Sequence, residues 1–212
     1  MKRTLLLLAV ALVAPAVAHA TTATATAQAE LQAGVAAYHR GDYQQALADF
    51  RRLATQGYAG AENNLGWMYE DGQGVPQNYA EALKWYRLAA ARSYAVAEYN
   101  LGVTYENGQG VPQDYAKALK WYRLAAAQGI VDAENNLGVM YENGQGVPQD
   151  YVAAYKWSLV AKAAMSATSR HYAKMSNNVK LLAAMMTPAQ IAQAQQEASA
   201  WYAAHEHAGH AP

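Results

Sequence analysis

The stretch from Ala61 to Val96 returns as Ala97 to Asp132 and, with a changed ending, as Ala133 to Thr168. The period is 36 residues, and the first two copies are identical at 25 positions. A unit of this length cannot bury its own hydrophobic face. A tandem array at this interval therefore predicts a solenoid, in which each copy is covered by its neighbours. The repeat constrains architecture tightly and function loosely, because the ligand of such a stack depends on particular surface side chains.

Within one copy, Ala61, Leu65, Met68 and Tyr69 recur at i, i+4, i+7 and i+8, while Glu62, Asn63 and Glu70 fall elsewhere on the same turn pattern. This predicts an amphipathic first helix. A second is marked by Tyr79, Ala82, Leu83, Tyr86, Ala89 and Ala90 on one face, with Glu81, Lys84 and Arg87 on the other. Gly66, Gly102 and Gly138 sit inside the first helix, where glycine costs about 1 kcal/mol relative to alanine. Close approach by the paired helix is the expected compensation.

Between the helices runs GQGVPQN, then GQGVPQD twice. Gly72 can end the first helix, Gly74 can take a positive φ, and Pro76 stiffens the turn. Asn78, Asp114 and Asp150 stand where an N-cap of the second helix is wanted. A phosphate cradle is not expected from this GxG, because such loops follow a strand and leave the helix N-terminus open, whereas two copies place a carboxylate there.

The segment LGxxYENGQGVPQDYAKALKWYRLAA resembles the Sel1-like repeat, an α/α solenoid unit related to the tetratricopeptide repeat. The resemblance covers Ala61 to about Ala164 in three near-complete copies. It implies an all-α fold, a right-handed superhelix of helix pairs, and an adaptor role in protein complexes or bacterial envelope processes. Upstream, Gly34, Tyr38, Gly41, Asp42, Tyr43, Ala46, Leu47, Phe50 and Leu53 resemble an ordinary tetratricopeptide hairpin with a shorter turn, over residues 29–60. The Sel1-like units are expected at 61–96, 97–132 and 133–168, with capping helices over 169–204. In the cap, Tyr172, Met175, Val179, Leu182 and Met186 are spaced to face the preceding hairpin. Thr187-Pro188-Ala189-Gln190 then reads as a capping box opening a last helix, with Ile191, Ala194, Ala198 and Trp201 on its inner face.

The chain begins with Lys2 and Arg3, an apolar run from Leu5 to Val13, and Ala18-His19-Ala20. That order predicts a secretory signal peptide over residues 1–20, cleaved near Ala20, and a periplasmic or secreted protein. The uncharged run from Thr4 to Ala18 is shorter than the ~20 residues a spanning helix needs, so no membrane insertion is expected after cleavage. The low-complexity TTATATAQ of residues 21–28, which has no helical periodicity, predicts a flexible leader. Loss of Lys2 and Arg3 from 16 basic side chains leaves 14 against 16 acidic ones, a formal charge of −2. Such a balance gives no pull towards nucleic acid or anionic lipid. With no cysteine, stability must come from the stacked core, and the activities of cysteine-rich secreted relatives, such as β-lactam binding, do not carry over.

The sequence holds no GxSxG, SxxK, HExxH or GK[ST] motif and no cysteine nucleophile, so neither an enzyme nor a cofactor is expected. Glu70, Glu106 and Glu142 recur at one repeat position and read as a solvated row. Trp85, Trp121 and Trp157 recur likewise and read as packing rather than ligand stacking. His39 and His171 have no partners at ligand spacing. His205, His207 and His210 in the tail of residues 205–212 are the weak candidates for a metal site.

The tetratricopeptide resemblance places the first helices on the inner wall of the superhelix. The wall positions are Asn63, Asn64, Trp67 and Glu70; then Tyr99, Asn100, Val103 and Glu106; then Asn135, Asn136, Val139 and Glu142. The basic clamp that related repeats use for a peptide's C-terminal carboxylate is replaced by Leu31, Val35, Tyr99 and Asn100, so that mode is not expected. Asn64, Asn100 and Asn136 can hydrogen-bond a peptide backbone or tie neighbouring repeats together, and the sequence leaves both open. The resulting expectation is an exported adaptor that binds a protein or peptide of unnamed identity on its concave face. The competing classes are an envelope enzyme acting on peptidoglycan or a β-lactam, and a metal carrier using the histidine tail.

Overall fold

The computed structural model describes residues 26–166, 168 and 170–205. The signal segment, the leader as far as residue 25, and the tail with His207 and His210 lie outside them. Among the described residues every regular element is an α-helix, and no helix is long and apolar enough to cross a membrane. The chain divides between Gln77 and Asn78 into two compact units, a boundary that falls inside the first 36-residue copy.

The first unit holds α1 (26–39), α2 (Tyr43–Thr55) and α3 (Ala59–Asp71). Helix α1 already includes residues 26–28 and buries Ala27, so the helical part starts earlier than the low-complexity run indicates. The physical reason is that alanine is the best helix former and here finds a packing surface. Asp42 caps α2 by accepting from the Gln45 amide at 3.3 Å. Phe50, Leu53, Leu65 and Met68 form the core of this unit. Gly34 faces the Phe50 ring so closely that a Cβ would lie 2.7 Å from it.

The second unit contains α4 (Tyr79–Ala90), α5 (Ala95–Asn107), α6 (Tyr115–Ala127), α7 (Val131–Asn143), α8 (Tyr151–Ala164), α9 (Arg170–Ala184) and α10 (Pro188–His205). Each of α4 to α8 packs on the next, and α8 also receives both α9 and α10. Asn78, Asp114 and Asp150 cap their helices through side-chain oxygens 2.9–3.1 Å from first-turn amides, as the spacing predicts. Tyr105, Leu119, Tyr122, Leu137, Met140, Trp157 and Val160 form the main core. On α9, Met175, Val179 and Leu182 are buried, and on α10 Ala194 and Ala198. The capping box forms: Gln190 accepts from the Thr187 amide at 2.9 Å, and Thr187 Oγ1 accepts from the Gln190 amide at 3.3 Å.

Two features of the loop motif recur wherever it is described. Gln77, Gln113 and Gln149 donate through Nε2 to the carbonyls of Glu70, Glu106 and Glu142 at 2.7–2.8 Å, which ties each loop to the helix it leaves. The second glycine of GQG takes a positive φ and lies against backbone. A Cβ on Gly110 would sit 2.8 Å from the Tyr79 carbonyl carbon, and one on Gly146 2.6 Å from that of Tyr115. Both the conformation and the contact therefore demand glycine. Side-chain ladders add to the stacking: Arg87 donates to the Tyr105 hydroxyl at 2.7 Å, and Arg123 donates to that of Tyr141.

The structure corrects one reading of the first-helix faces. Glu62 and Asn63, placed by periodicity off the apolar stripe, are buried, and so are the repeat equivalents of Glu62, Glu98 and Glu134. Glu98 accepts from Gln128 Nε2 at 2.6 Å. Burial pushes its carboxyl up, and the Gln128 hydrogen bond opposes the shift. Burial alone pushes Glu134 up to about 8. The corresponding glutamine is missing from the third copy, where Ala164 stands in the Gln128 position.

Candidate binding surface

In the first unit the four wall residues do not share one environment. Asn63 is buried and cannot present its amide to a partner, which corrects its assignment to the wall. Asn64 and Glu70 are half-buried, and Trp67 is 45% exposed. The Trp67 ring lies 5.3 Å from that of Tyr38. The crevice they line with Val35, His39, Phe50 and Asn64 measures about 20 Å³, room for little more than a water molecule.

In the second unit, Tyr99, Asn100, Val103 and Glu106 on α5 are half-buried. The Tyr99 ring packs 5.8 Å from that of Tyr122. Glu106 is not simply solvated, since it accepts the Tyr122 hydroxyl at 2.5 Å. The Asn136 side chain neighbours both tyrosines and opposes the rise of their pKa values, and its Oδ1 accepts from Asn135 Nδ2 at 3.5 Å. Burial, then Glu106, raises the Tyr122 pKa far above its ordinary value. The tryptophan row is packing: Trp157 is buried, and Trp85 and Trp121 are half-buried.

Asn135, Val139 and Glu142 are gathered by the fold into one cavity. They occupy a single stripe of α7 and, with Asp132, form one wall of a groove of about 460 Å³; Lys174, Met175, Asn177, Asn178 and Leu181 of α9 form the other, with Met165 between. Leu181 is 57% exposed, off the apolar face of α9. Asp132, Glu142 and Lys174 have no salt-bridge partner among the described residues. The side-chain amides of Asn177 and Asn178 likewise have none for hydrogen bonds. The α9 residues escaped the sequence reading because they lie outside the repeat. Their i, i+3, i+4, i+7 spacing, ending in a leucine off the core face, was the available signal.

A second concavity of about 480 Å³ lies where α6, α7, α8 and α10 meet, lined by Arg123, Tyr141, Lys156, Trp157, Trp201 and His205 among others. Most of its polar groups are already engaged within the protein, although Trp201 Nε1 is buried without a hydrogen-bond partner. Arg123 donates to Tyr141, Asp150 caps α8, and Glu197 accepts from Gln193 at 3.0 Å. His205 stacks on Trp201 at 3.7 Å, with Nδ1 2.8 Å from the Trp201 carbonyl oxygen. Among the described residues no group of three His, Cys, Asp or Glu side chains is placed to hold a metal ion. His207 and His210 lie outside those residues. By contrast, the α7/α9 groove presents the unpaired charges of Asp132, Glu142 and Lys174 and the uncommitted amides of Asn177 and Asn178 beside apolar side chains, the usual composition of a recognition site; Asn135 Nδ2 donates to Asn136 Oδ1 at 3.5 Å.

The Sel1 repeat family model matches residues 59–94, 95–130 and 131–164. The chain belongs to the Sel1 repeat family. The matched units begin two residues before the boundaries read from the sequence. Members are generally non-catalytic scaffolds for protein–protein interaction, and the fold is an all-α, α/α solenoid of Sel1-type helix hairpins. A crystal structure of a Sel1 repeat protein from Oxalobacter formigenes is similar, with a TM-score of 0.64, 30% identity, and coverage of 72% of this chain and 58% of that one. The structure of c5321, a protective antigen present in uropathogenic Escherichia coli strains and displaying an SLR fold, is similar in fold. Its TM-score is 0.57 with 24% identity, covering 84% of this chain and 46% of that one. This Sel1 repeat chain thus spans about half the length of these two proteins. No curated protein matches it.

Proposed function

We propose that this Sel1 repeat protein is an exported adaptor of the bacterial envelope that holds a segment of another protein in the groove between α7 and α9. The observation that carries this reading is the convergence of Asn135, Val139 and Glu142 with the outward stripe of α9 around one cavity. An apolar floor of Val139, Met165, Met175 and Leu181 favours burial of a side chain. The amides of Asn135, Asn177 and Asn178 can each donate to and accept from a peptide backbone. Export rests on the Lys2/Arg3, Leu5 to Val13 and Ala18-His19-Ala20 pattern.

Panning a random seven-residue display library on the full mature chain, with parallel panning on Leu181→Arg, tests the groove. Leu181 is exposed, so the arginine is tolerated by the fold while it intrudes on the cavity. Peptides enriched on the parent and lost on Leu181→Arg are the expected result. Enrichment of the same peptides on both proteins would remove the groove from the binding function.

A further inference from the structure

The α7/α9 groove carries a charge pattern that narrows what it can hold. Asp132 and Glu142 stand at its two ends on one stripe of α7, with Asn135 and Val139 between them. Ten residues of helix separate the carboxylates by about 15 Å at ~1.5 Å per residue. In an extended chain, residues i and i+4 point to the same side and lie about 13 Å apart at ~3.3 Å per residue, so the two spacings match within side-chain reach. Residue i+2 points the same way, midway along between Asn135 and Val139, within side-chain reach of the apolar lining of Val139, Met175 and Leu181. Lys174 stands on the α9 wall and repels a continuous basic run while tolerating two separated basic side chains.

Taking the peptide-binding reading as its basis, we infer that the groove recognises an extended partner segment with basic side chains at i and i+4 and an apolar side chain at i+2. The lysine or arginine ends pair with Asp132 and Glu142, and the middle residue rests on Val139, Met175 and Leu181. An acidic segment places like charges against both ends of α7, and a phosphodiester backbone does the same. Both are disfavoured for one reason. The pairs lie at the rim, so they set selectivity and salt dependence more than total affinity.

Three labelled peptides test this by fluorescence anisotropy with the full mature chain: Ala-Lys-Ala-Leu-Ala-Lys-Ala, its counterpart with both lysines replaced by glutamate, and a permutation with the lysines adjacent. The first is expected to bind most tightly and to weaken as salt rises from about 50 to about 300 mM, where screening shortens. Asp132→Asn and Glu142→Gln should each weaken it about two- to fivefold, the size of a rim ion pair, and Leu181→Arg should abolish it. The double reversal Asp132→Lys with Glu142→Lys should invert the preference towards the glutamate peptide. Equal or tighter binding of the glutamate peptide by the parent, or no binding of any of the three, overturns the inference. If display yields Leu181-dependent peptides without the spaced basic pair, the charge assignment falls and the groove reading stands. If it yields no Leu181-dependent peptide, the groove reading itself falls.

Discussion

Gly102 and Gly138 occupy the same repeat position in α5 and α7, yet alanine should have opposite effects at the two. In a helix interior the change from glycine gains about 1 kcal/mol of propensity. At Gly102 the new Cβ would lie 2.4 Å from two ring carbons of Tyr122. That ring is fully buried and anchored through its hydroxyl to Glu106, so it must move by about 1 Å to restore ordinary contact. Overpacking of this kind costs about 1–3 kcal/mol, which cancels or exceeds the propensity gain. At Gly138 the facing residue is Ser158, whose Oγ would be 3.2 Å away and can turn aside, so the propensity gain survives. Gly138→Ala is therefore expected to be neutral or stabilising, and Gly102→Ala to be less stable than it by about 1–3 kcal/mol, following the same two magnitudes. Urea melts followed by circular dichroism on both variants provide the comparison. The double variant Gly102→Ala/Tyr122→Ser, which copies the third unit, should show favourable coupling relative to the two single changes. A Gly138→Ala variant as unstable as Gly102→Ala, or strict additivity in the double variant, would refute the packing argument.

Four further outcomes are expected. Because burial raises the Glu134 carboxyl from about 4.3 in an unfolded chain to about 8, the folded state keeps a proton that the unfolded state has released. The associated stability is fully present below pH ~4.3 and is lost as pH rises through 8, by about 1.4 kcal/mol per unit at most. The stability of Glu134→Gln relative to the parent should accordingly rise between pH 5 and pH 8 in urea melts, and a flat difference would contradict the burial. Ser93 adopts φ 57°, where the equivalent positions hold Gly57 and Gly129, so Ser93→Gly should stabilise by up to about 1 kcal/mol in thermal melts. Glu106→Ala should cost about 1 kcal/mol or more, because it removes the acceptor of a buried hydroxyl; an unchanged melt would return Glu106 to the solvated row. N-terminal sequencing of the exported protein should begin near Thr21, and an intact Met1 on a cytoplasmic form would contradict the signal assignment.

The local rules of this fold are written in the sequence because each depends on neighbours a few residues away. The 36-residue period, the apolar spacing of each helix, the N-caps at Asn78, Asp114 and Asp150, and the glycines of the GQG loops all follow from residue type and short-range geometry. Tertiary packing decided the rest. Asn63 and the glutamates at 62, 98 and 134 look solvent-facing on an isolated helix, yet all four are buried; α5 packs against both α4 and α6, and α7 against both α6 and α8, so burial at 98 and 134 follows the flanking helices and not the periodicity. The groove is the clearest case: Asn135, Val139 and Glu142 are legible from their repeat positions, whereas Lys174, Asn177, Asn178 and Leu181 belong to a helix outside the repeat. The apolar spacing of Met175, Val179 and Leu182 indicates that this helix packs on the preceding hairpin, as it does on α8, but the facing of its outward stripe towards α7 across one cavity is decided by the tertiary packing.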